Sequence, residues 1–209
     1  MAEAVEAMLY LGMVALISLS GVMAPGPLLA TTICKGYQDP RAGIKISLGH
    51  SLIEVPLIIA IFLGLGAVLD NDAVFIFVGL VGGGILVYMG ADLVRSRDKL
   101  ITECSTSKRG VVSSGLLMTV ANPYWLIWWV TAGAALVAGA VAFGWVMLPL
   151  FIIVHISVDL LWYLAVSYSV NRSKDVWANK WHKWLFVVSG SIMLFFGLYF
   201  ILSATAMLV

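Results

Sequence analysis

Residues 110–171 read GVVSSGLLMTVANPYWLIWWVTAGAALVAGAVAFGWVMLPLFIIVHISVDLLWYLAVSYSVN. Only His155 and Asp159 in this stretch have an acidic or basic side chain. An α-helix rises 1.5 Å per residue, so about 20 apolar residues cross the hydrocarbon core of a bilayer. The stretch is too long for one crossing. It predicts two crossings, joined by a tight turn within the small residues 133–144.

The composition of the whole chain is that of a membrane protein. Of its 209 residues, 62% are hydrophobic and 11% are charged, and the mean hydropathy is +1.03. A soluble domain carries roughly 25% charged residues. The net charge of +1 gives no reason to expect a nucleic-acid partner. Because the first residues are acidic rather than basic, residues 7–33 are interpreted as a retained span and not as a signal peptide.

Hydropathy predicts an all-α membrane protein with six transmembrane helices. These lie at about 6–33, 42–69, 73–95, 111–137, 144–170 and 184–207. With six spans, all 12 Lys and Arg residues fall on one side of the bilayer, and the charged residues on the other side are all acidic. Basic loops stay in the cytoplasm. The pattern predicts a multi-pass plasma-membrane protein with both termini outside and cytoplasmic loops near 34–41, 96–109 and 171–183.

Three motifs recur in the same order in the two halves. "MAPGP" (23–27) parallels "ANPYW" (121–125), "HSLIE" (50–54) parallels "HISVD" (155–159), and "GGILVYMG" (83–90) parallels "GSIMLFFG" (190–197). Each half has three spans, so the second half enters the membrane from the opposite side. This predicts one transporter domain over residues 1–209, built as two inverted three-helix repeats at about 1–100 and 108–209.

The first of these motifs predicts breaks in helices one and four. Pro25, Gly26 and Pro27 would interrupt helix one, and Pro123 would free a backbone carbonyl in helix four, beside the Asn122 amide. Broken helices line the binding sites of inverted-repeat transporters. The alternative is that the prolines only kink the two helices. Breaks at matching positions in both halves favour a site.

The segment "APGPLLATTICKGYQDPRAGIKISLGH" (24–50) resembles the start of the LysE/RhtB-type (lysine exporter) family of small amino-acid exporters. That family has a Pro-Gly-Pro in helix one, then a short basic loop and a Gly-rich second helix, and an Asn-Pro in helix four, matched here by Asn122 and Pro123. The resemblance implies secondary-active export of a small solute, most simply an amino acid or derivative, by antiport with a coupling ion, proton or sodium. The wider superfamily also resembles divalent-metal exporters, which is the alternative.

Two acid–imidazole pairs are the candidate site. Glu54 and Asp159 fall near mid-membrane, where an acid costs roughly 2.5–3.5 kcal/mol unless it meets a cavity or partner. His50 lies four residues before Glu54 and His155 four before Asp159, so each pair shares a helix face.

Three interpretations of these pairs stay open. In the first interpretation, the acids carry protons or bind the ammonium group of an amino acid, and the histidines tune the acids or relay their protons. Alternatively, the four side chains and Asn122 bind a divalent metal as cargo. In the third interpretation, each histidine simply satisfies its neighbour.

The remaining features of the sequence concern helix packing and position in the membrane rather than binding of solutes or ions. Trp125, Trp128 and Trp129 either line a cavity or form the outer interfacial belt, and the belt is favoured for the last two. Helix three has five glycines for close packing, within the protomer or across a homodimer: Gly79, Gly82, Gly83, Gly84 and Gly90. Two isolated cysteines do not make a disulfide framework. No catalytic triad or phosphate loop is recognisable, so neither an enzyme, a resident metal nor a cofactor is expected.

Overall fold

The computed structural model describes residues 2–24, 26–65, 72–95, 110–173 and 182–208, and these are helical apart from short turns. The helices are α1 (Ala2–Val22), α2 (Pro27–Gly36), α3 (Ala42–Ala60), α4 (Asp72–Arg95), α5 (Val111–Val120), α6 (Pro123–Trp128), α7 (Ala134–Ala142), α8 (Met147–Arg172) and α9 (His182–Ala206). Two π-helical segments, Ile61–Leu65 and Trp129–Gly133, extend α3 and join α6 to α7.

Six helices are long and apolar enough to cross a membrane, which confirms the predicted all-α membrane fold. They are Ala2–Val22, Ala42–Gly64, Asp72–Arg95, Tyr124–Ala142, Met147–Arg172 and Phe186–Ala206. Pro25 and most of the two predicted cytoplasmic loops at 96–109 and 171–183 lie outside the described residues.

Helices one and four are both interrupted where the Pro-containing motifs stand. α1 ends at Val22 and α2 begins at Pro27, while α5 ends at Val120 and α6 begins at Pro123. Proline suits the first position of a helix because it has no N–H to leave unpaired there and its φ is already helical. In each of these two spans, a short half-helix of ten residues, α2 or α5, therefore adjoins a helix that is long enough to cross the membrane.

The turn between the fourth and fifth spans lies later than predicted. Residues 133–144 were expected to form it, but α7 continues to Ala142 and the turn occupies residues 143–146. The alanines of α7 are strong helix formers, so they do not end the helix. Gly144 does, because it adopts a φ of 80°, which a residue with a Cβ rarely takes.

α3 and α8 form the centre of the bundle. α3 packs against α5 and α8, and α8 packs against α1 and α2. The backbones approach closely where one helix presents a glycine. A Cβ on Gly43 would lie 2.0 Å from the Tyr163 carbonyl oxygen, and one on Gly115 would lie 2.4 Å from that of Ile46. Small residues permit this close approach of backbones. The approach of α3 to α8 at Gly43 and Tyr163 brings the candidate acids of these two helices together.

α4 and α9 pack through two pairs of glycines. A Cβ on Gly83 would be 2.8 Å from the carbonyl oxygen of Gly197, and the reverse distance is also 2.8 Å. Gly90 and Gly190 face each other in the same way at 2.7 Å. The predicted repeat maps Gly83 onto Gly190 and Gly90 onto Gly197, so it exchanges the two contacts, as a two-fold axis between α4 and α9 requires. The inverted repeat as a whole stays a prediction.

The glycines of α4 were expected to pack either within the protomer or across a homodimer. Gly79, Gly83 and Gly90 contact α9 of the same chain, whereas the Cβ position of Gly84 has no neighbouring atom within 4 Å. These three glycines therefore serve packing within the protomer. The homodimer stays a prediction.

Cys34, near the end of α2, is disulfide-bonded, which the sequence did not lead us to expect. The other cysteine of the chain, Cys104, lies outside the described residues. Spacing along the chain does not show which segments meet in space, so two isolated cysteines were a poor basis for excluding a disulfide.

In the loop after α2, Asp39 accepts hydrogen bonds from the Lys45 Nζ (2.6 Å) and the Arg41 backbone N–H (2.9 Å). These bonds lower the pKa of its carboxyl group.

Candidate functional site

A cavity of about 40 Å³ lies where the two interrupted helices meet α3 and α8. His50 and Glu54 reach it from α3, and His155 and Asp159 reach it from α8. All four are buried, with 2–4% of each residue exposed. The structure therefore brings together the two acid–imidazole pairs that the sequence singled out.

The ionisable atoms of the two pairs converge on one point. His50 Nε2 lies 3.0 Å from Glu54 Oε2 and 3.6 Å from Asp159 Oδ2. His155 Nε2 lies 3.4 Å and 3.8 Å from the same two oxygens. Each imidazole thus approaches the acid of its own helix and the acid of the other helix.

Each imidazole is held from behind by a hydroxyl group of the other half of the chain. Ser18 Oγ of α1 is 2.6 Å from His155 Nδ1, and Thr119 Oγ1 of α5 is 2.8 Å from His50 Nδ1. The Thr119 hydroxyl donates its hydrogen to the Gly115 carbonyl oxygen (2.8 Å). It has no second hydrogen, so His50 Nδ1–H must be the donor to Thr119.

This assignment fixes what His50 presents to the cavity. With Nδ1 protonated, neutral His50 has a lone pair at Nε2, and this atom lies only 3.0 Å from Glu54 Oε2. Two lone pairs at this distance repel. A proton on either group, or a cation bound between them, removes the repulsion.

Three of the converging atoms have no hydrogen-bond partner among the described residues. They are Glu54 Oε2, His155 Nε2 and Asp159 Oδ2, and all are buried. The atoms are close, but their geometry is not that of hydrogen bonds. An unpaired buried polar group costs about 1–3 kcal/mol. The arrangement is therefore one that a bound cation, a proton or a water molecule completes.

Two indole groups hold the other oxygen of Glu54. Trp125 Nε1–H and Trp129 Nε1–H both donate to Glu54 Oε1, at 3.0 and 2.8 Å. Trp125 also lines the cavity. The interpretation of Trp128 and Trp129 as outer-belt residues was wrong. Trp129 is fully buried, and Trp128 stacks on the His155 ring with 5.7 Å between ring centroids.

Local backbone features position these indoles. Trp129 begins the π-helical segment Trp129–Gly133, and such segments are common at functional sites. A Cβ on Gly133 would lie 2.3 Å from the Trp129 ring, and one on Gly21 would lie 2.7 Å from the Trp128 ring. The four-residue spacing of Trp125 and Trp129 places both on one helix face, and that spacing beside the Asn-Pro motif was a usable signal.

The two helix breaks are adjacent to each other. The Asn122 side chain accepts a hydrogen bond from the Tyr124 N–H (3.2 Å) and so caps α6. Gly26 is the N-cap residue of α2 and has an extended backbone, but it has no side chain that could bond a backbone N–H group of the first turn. A Cβ on Gly26 would lie 3.6 Å from Asn122 Nδ2. Gly26 and Asn122 line the cavity, while Pro27 starts the half-helix beside it.

A protein-family model described as LysE type translocator matches residues 19–204. The chain belongs to this family. The match covers most of the chain and confirms the resemblance drawn from the sequence. No curated protein and no solved structure matches the chain.

Membership in the LysE type translocator family makes this chain a multi-pass membrane transporter of small solutes. In such a protein, a buried set of two carboxyl and two imidazole groups can bind a cation or exchange protons.

Three cavity residues that contact the imidazole groups were not found from the sequence: Ser18, Thr119 and Tyr163. Single hydroxyl groups are common in transmembrane helices, so Ser18 and Thr119 gave no signal. Tyr163 follows Asp159 by four residues and therefore shares its helix face. Its ring meets the His50 ring edge-on at 6.2 Å.

Proposed function

We propose that this LysE-type translocator is a secondary-active exporter of a small solute that carries an ammonium group, an amino acid or derivative, and that it exchanges the solute for protons. The observation that carries the proposal is the convergence of Glu54 Oε2, Asp159 Oδ2 and the two histidine Nε2 atoms in one buried cavity. Imidazole groups bind protons but are poor ligands for sodium, so the two histidines favour protons as the coupling ion.

The size of the cavity suits an ammonium group. A volume of about 40 Å³ holds a water molecule or a group of similar size. An ammonium group is of that size and donates up to three hydrogen bonds, and the carboxylate oxygens of Glu54 and Asp159 accept them. The buried oxygens without partners would then be satisfied by the solute.

Proton exchange follows from the same atoms. Two ionised carboxylates in a buried site repel each other unless cations neutralise them. A solute ammonium neutralises them in one step of the cycle, and protons on the carboxyl or imidazole groups neutralise them in the other. Because solute and protons compete for the same atoms, binding of one favours release of the other.

The solute carboxylate would bind at the start of α2. Gly26 caps this ten-residue half-helix without a side-chain hydrogen bond, so backbone N–H groups of its first turn are available. The positive end of a helix favours an anion. An α-amino acid placed between Gly26 and the two acids would have both of its charges matched.

Transport by the purified protein tests the proposal. Proteoliposomes with an imposed pH gradient should accumulate a labelled amino acid, and dissipating the gradient with a protonophore should stop accumulation. Cells that express the protein should also tolerate an otherwise toxic amino acid or dipeptide better than cells that express Glu54→Gln. Gradient-independent leakage, or equal tolerance with both forms, would contradict proton-coupled export.

A divalent metal ion is the second candidate cargo. His50, Glu54 and Asp159 each offer a ligand atom, and these atoms lie within 4.8 Å of one another. Mixed imidazole and carboxylate ligands suit ions such as manganese or zinc. Resistance of expressing cells to such an ion, without any amino-acid phenotype, would replace the first candidate by this one.

We also propose that the protein lies in the plasma membrane with both termini outside, as its charge distribution favours. Single cysteines at two exposed turn positions test this. A cysteine at Val146 should react with an impermeant maleimide added to intact cells, and a cysteine at Gln38 should react only after the cells are opened. The opposite pattern would reverse the orientation.

A further inference from the structure

An apolar groove of about 660 Å³ lies beside the acid cavity. One wall is α4, with Phe77, Val81 and Ile85, and the other is the region where α5 ends and α6 begins. No charged side chain is among the described residues that line it. The groove can therefore hold a large apolar group, and no charge on its walls favours a charged one.

The groove and the acid cavity share a wall. Asn122 and Trp125 line both spaces. The Trp125 indole is the part of this wall that donates to Glu54 Oε1. Ile53, the residue before Glu54, lines the groove as well.

Trp125 is the more easily displaced of the two indoles that bind Glu54. Trp125 is only partly buried, whereas Trp129 is fully buried and bonds the same oxygen at 2.8 Å. If the Trp125 side chain rotates away, Glu54 Oε1 therefore keeps one donor. Such a rotation joins the two spaces at little cost to the carboxylate.

The volumes of the two spaces show how a solute would be divided between them. The acid cavity, at about 40 Å³, is much smaller than the groove of about 660 Å³, so a large side chain fits in the groove and not beside the acids. A solute with such a side chain therefore needs the second space in contact with the first. The groove is in contact through Asn122 and Trp125, and its lining matches an apolar side chain.

We propose that this groove is the subsite for the side chain of the exported solute, and that it selects amino acids with a large apolar or aromatic side chain over small or charged ones. This inference rests on the proposed export of an ammonium-bearing solute. A lipid acyl chain and a second copy of the chain are the other occupants that such a groove admits. Neither would need the polar wall of Asn122 and Trp125 that connects it to the acids.

Filling the groove at one position tests the proposal with a matched control. Val81, in the groove, is 46% exposed, and Val188, on α9 and outside the groove lining, is 47% exposed. Purified Val81→Phe, Val188→Phe and wild-type protein are compared in proteoliposomes for counterflow of labelled leucine and labelled alanine. Val81→Phe should lower the leucine-to-alanine rate ratio about tenfold, the scale of discrimination in an apolar pocket. Val188→Phe should leave the ratio unchanged.

A second variant enlarges the groove and so does not depend on tolerance of a larger side chain. Ile85→Ala should raise counterflow of labelled tryptophan relative to leucine several-fold. Equal effects of Val81→Phe and Val188→Phe, or an unchanged ratio in both groove variants, would overturn the subsite. Absence of any amino-acid counterflow by the wild type would instead reject the proposed function, so the two failures are distinguishable.

Discussion

The two halves of the acid site share a plan but differ in how each acid is held. In both, an imidazole is bonded from behind by a hydroxyl group and faces an acid four residues away. Glu54 Oε1 accepts two indole N–H bonds. Glu54 Oε2 and Asp159 Oδ2 both lack a hydrogen bond from the described residues, and among these residues no indole N–H donates to Asp159. The pair is thus symmetric in position and asymmetric in chemistry.

The difference arises in the interrupted helices. Helix four supplies Trp125 and Trp129 just after its break, whereas helix one supplies Leu28 and Leu29 to the cavity after its break. Leucine has no donor to offer. Glu54 is therefore stabilised as a hydrogen-bond acceptor, and Asp159 is left to be satisfied by whatever enters the cavity.

Neutralising either acid should have the largest effect of any single substitution. Glu54→Gln and Asp159→Asn should each fold and lower gradient-driven transport about 100-fold or more, the scale of losing a proton-transfer group. Glutamine keeps an oxygen for the two indoles but cannot exchange a proton. Uptake into proteoliposomes at matched protein amounts measures this.

The two substitutions also test the asymmetry. Solute exchange without a pH gradient needs binding but no net proton movement. If Glu54 and Asp159 are equivalent, both variants should lose exchange equally. Wild-type uptake by well-folded Glu54→Gln under a pH gradient would make Glu54 a structural residue.

Substituting the paired glycines of α4 and α9 should have the next largest effect. Gly83→Ala places a Cβ 2.8 Å from the Gly197 carbonyl oxygen, and Gly197→Ala does the reverse. Overpacking of this kind costs about 1–3 kcal/mol. Both variants should lower the midpoint of thermal unfolding in detergent by similar amounts. Gly84→Ala is the control, because its Cβ meets no atom within 4 Å.

This glycine comparison examines the repeat itself. An inverted repeat exchanges the Gly83–Gly197 contact with the Gly190–Gly90 contact, so Gly190→Ala and Gly90→Ala should match the first two variants. A loss of stability confined to one pair would show that the correspondence between "GGILVYMG" and "GSIMLFFG" has no structural meaning.

The sequence predicted those features that depend on periodicity and charge. Six spans, two interrupted helices and the facing pairs at 50–54 and 155–159 all follow from apolar length, proline and four-residue spacing. The donors to Glu54 could not be predicted with the same security. A tryptophan near a helix end is equally typical of the lipid interface, and neither the π-helical segment nor the close approach of Gly133 to the Trp129 ring is visible in the sequence. The end of α7 was misjudged because small size alone does not end a helix: Gly139 lies within α7, and the helix ends only before Gly144, where the backbone adopts a positive φ.

Replacing the buried indole donor should have a moderate effect. Trp129→Phe removes one of two donors to a buried carboxylate oxygen, which costs about 1–3 kcal/mol. Trp125→Phe should cost less, because Trp125 is only partly buried and Trp129 remains. Trp184→Phe, at a position 66% exposed, is the control and should change stability by less than about 0.5 kcal/mol. Thermal unfolding measures all three.

The pH profile of transport separates this role from simple packing. Without the Trp129 donor, ionised Glu54 is less stabilised, so the profile should shift toward higher pH. A loss of stability with an unchanged profile would mean that Trp129 only fills space.

Removing the hydroxyl groups behind the imidazoles should have the smallest effect, and it examines what the two halves share. Thr119→Val takes away the acceptor of His50 Nδ1–H, and Ser18→Ala takes away the partner of His155 Nδ1. A lost hydrogen bond of this kind costs about 0.5–1.5 kcal/mol.

Transport should fall only a few-fold in these two variants, because both acids stay in place while the imidazoles are less well oriented. Thr119→Ser and Ser18→Thr keep a hydroxyl group and should restore most of the rate, which distinguishes orientation from packing. The two losses should be alike, since each hydroxyl group reaches an imidazole of the other half in the same way. If Thr119→Val were harmless while Ser18→Ala were not, the asymmetry seen at the acids would extend to the histidines, and only His155 would need to be held in place for transport.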